Sequence, residues 1–176
     1  MFQLLRDYEG QPIDGWLMSE KLDGWRMMWD GAEFILRGGG VLRVPDRWKV
    51  GMPAVALDGE LFAGRGEFNT IQGRIARGFH GLTFQVFDAP MPGTFRQRVA
   101  FLKSLSLPDH VGLVPHVRCR DTRHLIEHAD AIVSAGAEGV VVRRAAARYA
   151  PARTDDVLRW VSQAPRLNRL RRLAFG

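Results

Sequence analysis

The stretch Ser19–Arg26, SEKLDGWR, places Lys21, Asp23, Gly24 and Arg26 at K-x-D-G-x-R spacing. An apolar segment, Trp16-Leu17-Met18, leads into it. Out of it runs a hairpin over residues 24–37, in which WRMMW and EFILR are strand-prone and Asp30-Gly31 is the turn signal between them. Lys21 is one of three lysines among 25 basic residues, with arginine filling the other basic positions. That scarcity lets each lysine be questioned individually.

Working outward, Ala54–Phe62 (AVALDGELF) reads as a buried strand that meets an Asp-Gly-Glu turn or bulge. Leu82–Asp88 (LTFQVFD) alternates as a strand does, and Gly139–Arg144 (GVVVRR) is a strand buried on its valine side. One helix is expected over Thr94–Leu105, with Thr94 as N-cap and Val99, Phe101, Leu102 and Leu105 apolar. A second is expected over Asp121–Ala135, with Asp121 as cap, Leu125, Ile126, Ala129, Ile132 and Val133 on the core face, and Gly136 at its end. Pro165–Phe175 has Leu167, Leu170 and Leu173 three apart among arginines, the pattern of a short basic amphipathic helix. Irregular alternation of strands and helices with many glycine turns indicates an α+β fold with antiparallel sheets.

Composition sets the limits. The chain has 176 residues and 19.8 kDa, 46% hydrophobic and 25% charged, a globular balance that excludes disorder. No apolar run approaches the ~20 residues of a membrane helix, and the N-terminus shows no secretory pattern. Cys119 is the single cysteine, so no internal disulfide framework exists and a reducing, cytoplasmic compartment is expected. The net charge is +6, and its distribution is uneven. From Arg143 onward there are nine arginines and two acids, whereas the first 142 residues hold 16 basic and 17 acidic groups.

The series SEKLDGWR (19–26), LDGELF (57–62), FQVFDAP (84–90) and EGVVVRR (138–144), in this order and at these spacings, resembles the nucleotidyltransferase domain of ATP-dependent DNA ligases. It is most similar to the small bacterial and phage-encoded enzymes, over roughly residues 12 to 161. The resemblance implies antiparallel sheets flanked by helices with the nucleotide pocket between them. It also implies an enzyme in which Lys21 becomes adenylated by ATP and AMP passes to a DNA 5′-phosphate so that a nick is sealed, in repair, replication or recombination. Attack needs the free amine, of which an ordinary lysine holds only about 0.1% near neutrality. Leu17, Met18 and Leu22, with Arg26 nearby, are the sequence neighbours expected to favour it.

By position, Glu20 and Arg26 would bind the nucleotide, Arg26 at the AMP ribose. Glu60 would hold the ribose hydroxyl and share a metal, Phe87 would stack on adenine, and Glu138 would hold Mg²⁺ or Mn²⁺. Asp23 would meet the 3′-hydroxyl end, Arg37 the nick 5′-phosphate, and Arg65 in GRGEF would approach DNA. Each residue has a plainer structural reading: Asp23-Gly24 and Asp58-Gly59 as turns, Phe87 as core. With only 20 residues before Lys21, the expected cofactor is ATP rather than NAD.

Two departures stand out. The family closes the domain with a lysine-x-lysine pair for the α-phosphate. Here Arg159 stands at the first lysine position and Val161 at the second, so weak adenylation is expected. The family also continues into an OB-fold domain, expected to be absent here, with residues 1–161 as the nucleotidyltransferase domain and 162–176 as the basic helix. That helix is expected to bind DNA phosphates or a protein partner. His124 and His128 in HLIEH have an H-x-x-E-H zinc spacing, but a helix face is the better reading because the downstream acidic ligand that spacing requires has little chain left to hold it. The rival functions are a non-catalytic nick-binding module and a nucleotidyltransferase that adenylates or caps RNA ends.

Overall fold

The computed structural model describes residues 2–161; the basic segment 162–176 lies outside the described residues. The chain divides into two compact units. Of the described residues, the first takes those up to Lys21, Thr94–Arg96 and those from Pro115 to Val161. The second takes Leu22–Gly93 and Gln97–Val114.

The first unit is built on strands β1 (Leu4–Asp7), β2 (Leu17–Lys21), β8 (Val117–Arg118), β9 (Gly139–Arg143) and β10 (Arg153–Val161), in the order β1-β10-β9-β2-β8. Helix α3 (Thr122–Ser134) buries Leu125 and Ala129 in a core with Met18, Val140, Val142, Leu158 and Trp160. Asp121 caps it, its carboxylate accepting the His124 amide at 2.7 Å, as the sequence indicates. Cys119 is fully buried beside these residues; burial pushes its thiol up to about 11, so it acts as packing rather than as a nucleophile.

The second unit holds β3 (Trp25–Trp29), β4 (Phe34–Leu36), β5 (Leu57–Phe62), β6 (Thr83–Asp88) and β7 (Val111–Leu113), in the order β4-β3-β5-β6-β7. Its core gathers Met27, Trp29, Phe34, Leu57, Leu61, Phe84 and Val86, with Leu102 from helix α2 (Phe95–Ser104). A short helix α1 (Ile71–Ala76) anchors through Ile71. The β3–β4 hairpin closes as expected, because the Asp30 carboxylate accepts the amides of Ala32 and Glu33 at 2.9 and 2.7 Å. Those two amides hold its carboxyl below the usual range.

Both sheets are mainly antiparallel, as expected, and each also takes one parallel pair. β1 pairs parallel with β10, and β6 pairs parallel with β7. The second follows from the path, since α2 carries the chain back over to start β7 in the direction of β6. The first joins opposite ends of the described chain, which no local pattern announces.

Asp88 closes β6 with a buried charge. Arg98 of α2 donates through Nε and Nη2 to both Asp88 oxygens at 2.6 and 3.0 Å, and through Nη1 to the Gly93 carbonyl at 2.9 Å. Both side chains are 1% exposed. Removing one partner of such a pair leaves a buried charge uncompensated. Asp88→Asn is therefore expected to cost about 3–5 kcal/mol of unfolding free energy in urea denaturation. The apolar pair Asp88→Leu/Arg98→Met should recover much of that loss, and an unchanged midpoint in Asp88→Asn would show that the pair does not hold this corner.

Candidate active site

Lys21 ends β2 and sits in register with Gly139, the first residue of the antiparallel neighbour β9. Glu138 stands one residue earlier, and its carboxylate accepts the Lys21 ammonium at 2.5 Å. The lysine side chain is 17% exposed and the glutamate 33%, so the pair is partly sheltered and still reachable. The sequence neighbours alone suggested a cationic setting supplied by Arg26. The structure shows Glu138 as an anionic partner of Lys21.

Gly139 also pairs with Val161 on β10, so Val161, Gly139 and Lys21 form one row across three strands. Leu158 and Trp160 point into the core, so Arg159 and Val161 stand on the opposite face, which Lys21 shares by its odd spacing from buried Met18. Val161 therefore occupies the row of the proposed nucleophile, where the sequence comparison put a missing lysine. Arg159 is one row away, opposite Val141, and its Nε donates to the Asp7 carboxylate on β1 at 2.6 Å. Glu20 lies on β2, half-buried, opposite Val140.

In the second unit, Arg26 of β3 donates through Nε and Nη2 to the two oxygens of Asp58 on β5 at 2.8 and 2.7 Å. Asp58 is fully buried. The same guanidinium lies 4.4 Å over the ring of Phe87, which is itself buried. Arg26 also faces Glu60 in the β3–β5 register. Asp58, Arg26 and Phe87 thus form one built cluster. Asp58 is the member to which the sequence reading of a turn or bulge gave no role; the available signal was a carboxylate inside the apolar run AVALDGELF. Asp23, Arg37 and Arg65 are exposed.

The motif glycines have a different role from the one their dipeptides suggest. Neither Gly24 nor Gly59 has a positive φ. A Cβ on Gly24 would run into the Leu61 carbonyl and meet Glu60 Cγ at 2.7 Å. One on Gly59, at the β5 bulge, would meet the Gln85 carbonyl at 2.5 Å. One on Gly139 would run into the Trp160 carbonyl and meet Val161 Cα at 3.0 Å. All three serve close backbone approach. Arg143, buried at 5% exposure, was also passed over; its Nη1 donates to Ser19 Oγ at 3.4 Å.

No group of three or more His, Cys, Asp and Glu capable of holding a metal occurs among the described residues. Mg²⁺ does not require one, because it binds through one or two carboxylates plus substrate phosphates and water. Glu60 and Glu138 are hard oxygen donors that fit this mode. For His124, Nδ1 already accepts the Arg120 amide at 3.2 Å. Burial and the neighbouring His124 push His128 below its ordinary value, and both belong to the α3 face. No described helix is long and apolar enough to cross a membrane.

A DNA ligase of Haemophilus influenzae is 36% identical over 165 residues, which is 89% of this chain and 61% of that protein. The chain thus spans about three fifths of the length of this relative. Among solved structures, a Lig E DNA ligase studied for DNA binding with a minimal scaffold superposes with a TM-score of 0.84 at 26% identity, covering 92% of this chain and 68% of that one. The Chlorella virus DNA ligase-adenylate superposes at 0.75 and 18% identity, covering 91% and 66%. The ATP-dependent DNA ligase of bacteriophage T7 in complex with ATP superposes at 0.67 and 13%, covering 92% and 68%. No protein-family model matches the chain.

Gly24→Ala is expected to cost about 1–3 kcal/mol in urea unfolding, since β5 backbone must shift to admit the methyl. Gly38, around which a Cβ would meet nothing within 4 Å, is the control: Gly38→Ala should stay within about 0.5 kcal/mol. Equal effects at the two sites would show that close approach is not what Gly24 provides.

Proposed function

We propose that this chain, which resembles the nucleotidyltransferase domain of ATP-dependent DNA ligases in both sequence and fold, is itself a nucleotidyltransferase that becomes adenylated on Lys21 and acts at DNA nicks. The observation that carries the reading is the placement of Lys21: a sheltered amine at a strand end, hydrogen-bonded to a carboxylate, in one row with Gly139 and position 161.

Lys21 must part from Glu138 and lose a proton before it can attack; Glu138 Oε2 lies within hydrogen-bond reach of that proton. Nζ then bonds to the α-phosphorus of ATP as the bond to pyrophosphate breaks, giving a lysyl–AMP phosphoramidate. In the second step a DNA 5′-phosphate oxygen attacks the same phosphorus and the amine leaves. In the third the 3′-hydroxyl attacks the activated 5′-phosphorus, AMP departs, and the nick is closed. Glu60 and Glu138 are each assigned as a carboxylate donor to magnesium, which would supply charge neutralisation at the phosphates. Glu20, Arg26 and Phe87 are assigned to the nucleoside, with Asp58 holding the Arg26 fork in place through both carboxylate oxygens. Arg159 is assigned to phosphate, and exposed Asp23, Arg37 and Arg65 to nicked duplex DNA. A cytoplasmic location accords with these substrates.

The second reading, a nick-binding module without turnover, is favoured by one observation: the row containing Lys21 ends in apolar Val161, with Arg159 turned to Asp7.

Incubation with α-labelled ATP and Mg²⁺ followed by a denaturing gel should give a labelled band that Lys21→Ala abolishes. Retention of label in Lys21→Ala would overturn the assignment, and no label in either, with a nick-binding shift preserved, would favour the module. Val161 lies two strand spacings from Lys21, about 9.5 Å, within range of a lysine side chain aimed at a shared phosphate. Val161→Lys is therefore expected to raise the adenylation rate about tenfold, the worth of one charge-assisted hydrogen bond. An unchanged rate would count against placing position 161 at the α-phosphate.

A further inference from the structure

We propose that Asp7 is a competitor of the nucleotide: it holds Arg159 in an exposed ion pair that a phosphate group must displace, and so tunes the affinity of this site for ATP. The inference rests on the assignment of Arg159 to phosphate.

Tyr8 is buried in the first unit's core, so Asp7 stands on the opposite face of β1. Leu158 and Trp160 are buried in the same core, so Arg159 stands on that same opposite face. The register sets Asp7 against Arg159, Arg159 against Val141, and Val141 against Ser19, two residues before Lys21. Asp7 and Arg159 therefore lie in one cross-strand row next to the row of the nucleophile. The Nε–Oδ1 distance is 2.6 Å, and the side chains are 44% exposed for Arg159 and 56% for Asp7. An ion pair this open is weak, because water screens it and both side chains must be ordered to make it. A guanidinium binds phosphate through the same fork that it offers a carboxylate, and a phosphate brings more negative charge. A phosphate that takes the Nε edge of the fork displaces the carboxylate, so ATP binding through that edge is reduced by whatever the Asp7 pair is worth.

β1 is also held to β10 by contacts other than the Asp7 carboxylate. β1 is held to β10 by the Leu4 amide on the Ala152 carbonyl and the Tyr8 amide on the Arg159 carbonyl, at 3.0 and 2.9 Å. Arg153 donates to the Leu5 carbonyl at 2.6 Å, and Arg6 pairs with Asp155 at 3.3 Å. None of these uses the Asp7 carboxylate.

The test compares the wild type with Asp7→Asn, Arg159→Ala and the double variant, using ATP calorimetry, initial rates of lysyl-AMP formation and thermal melting. Asp7→Asn should tighten ATP binding and lower KM about two- to fivefold with kcat unchanged, the range an exposed pair can supply. In the Arg159→Ala background the same substitution should change neither. Equal or weaker binding in Asp7→Asn overturns the proposal, as does a gain that survives loss of Arg159. Calorimetry keeps the two readings separable. Tightened binding in a protein that never forms lysyl-AMP upholds the competition and overturns self-adenylation. Labelling of Lys21 with unaltered ATP affinity in Asp7→Asn does the reverse, and a chain that binds no ATP overturns both.

Discussion

Everything proposed for the first unit depends on how closely β9 and β10 approach at Gly139. The Trp160 carbonyl occupies the space where any Cβ would go, so only glycine lets the two strands meet in this register. That register sets Lys21, Gly139 and Val161 in one row, and it sets Glu138, the next residue, beside the lysine amine. A shift by one residue would send every side chain of the strand to the other face. The chemistry therefore hangs on a packing constraint at a residue with no side chain.

The same logic recurs in the second unit. Gly24 lets the start of β3 lie against β5, and Gly59 lets β5 lie against β6. With the backbones that close, Arg26 and Asp58 on neighbouring strands meet as a bidentate pair, and Phe87 on the next strand receives the guanidinium on its face. Asp58 is fully buried, a setting that would be costly for a lone carboxylate and is offset by the fork that holds it.

Three of the cations proposed for the nucleotide each have a carboxylate partner: Lys21 with Glu138, Arg26 with Asp58, and Arg159 with Asp7. They differ in depth. The Arg26 pair rests on a fully buried acid and reads as scaffold. The Lys21 pair is partly sheltered, and the Arg159 pair is open to water, where an incoming phosphate exchanges for a carboxylate at small cost. Depth thus grades the three pairs from fixed to exchangeable.

Local chemistry was legible in the sequence. The hairpin at 25–36 follows from Asp30, whose carboxylate satisfies two amides within three residues, and α3 follows from Asp121 at its cap. The motif residues were identifiable by type and spacing, because a nucleophilic amine, carboxylates and an arginine are recognisable as letters. The tertiary structure alone decided what those letters meet. Of the turn or bulge that the sequence allows at Asp58-Gly59, the folded chain takes the bulge, because β6 lies against it, and Arg26 meets Asp58 on the neighbouring strand. β10, written RTDDVLRWV, hides its alternation under charges until Leu158 and Trp160 find the core. β1 joins a strand almost 150 residues away. Turns and caps are energies of neighbours along the chain, so sequence determines them. Partners across strands are set by burial and backbone approach between distant segments, and only the folded chain supplies those.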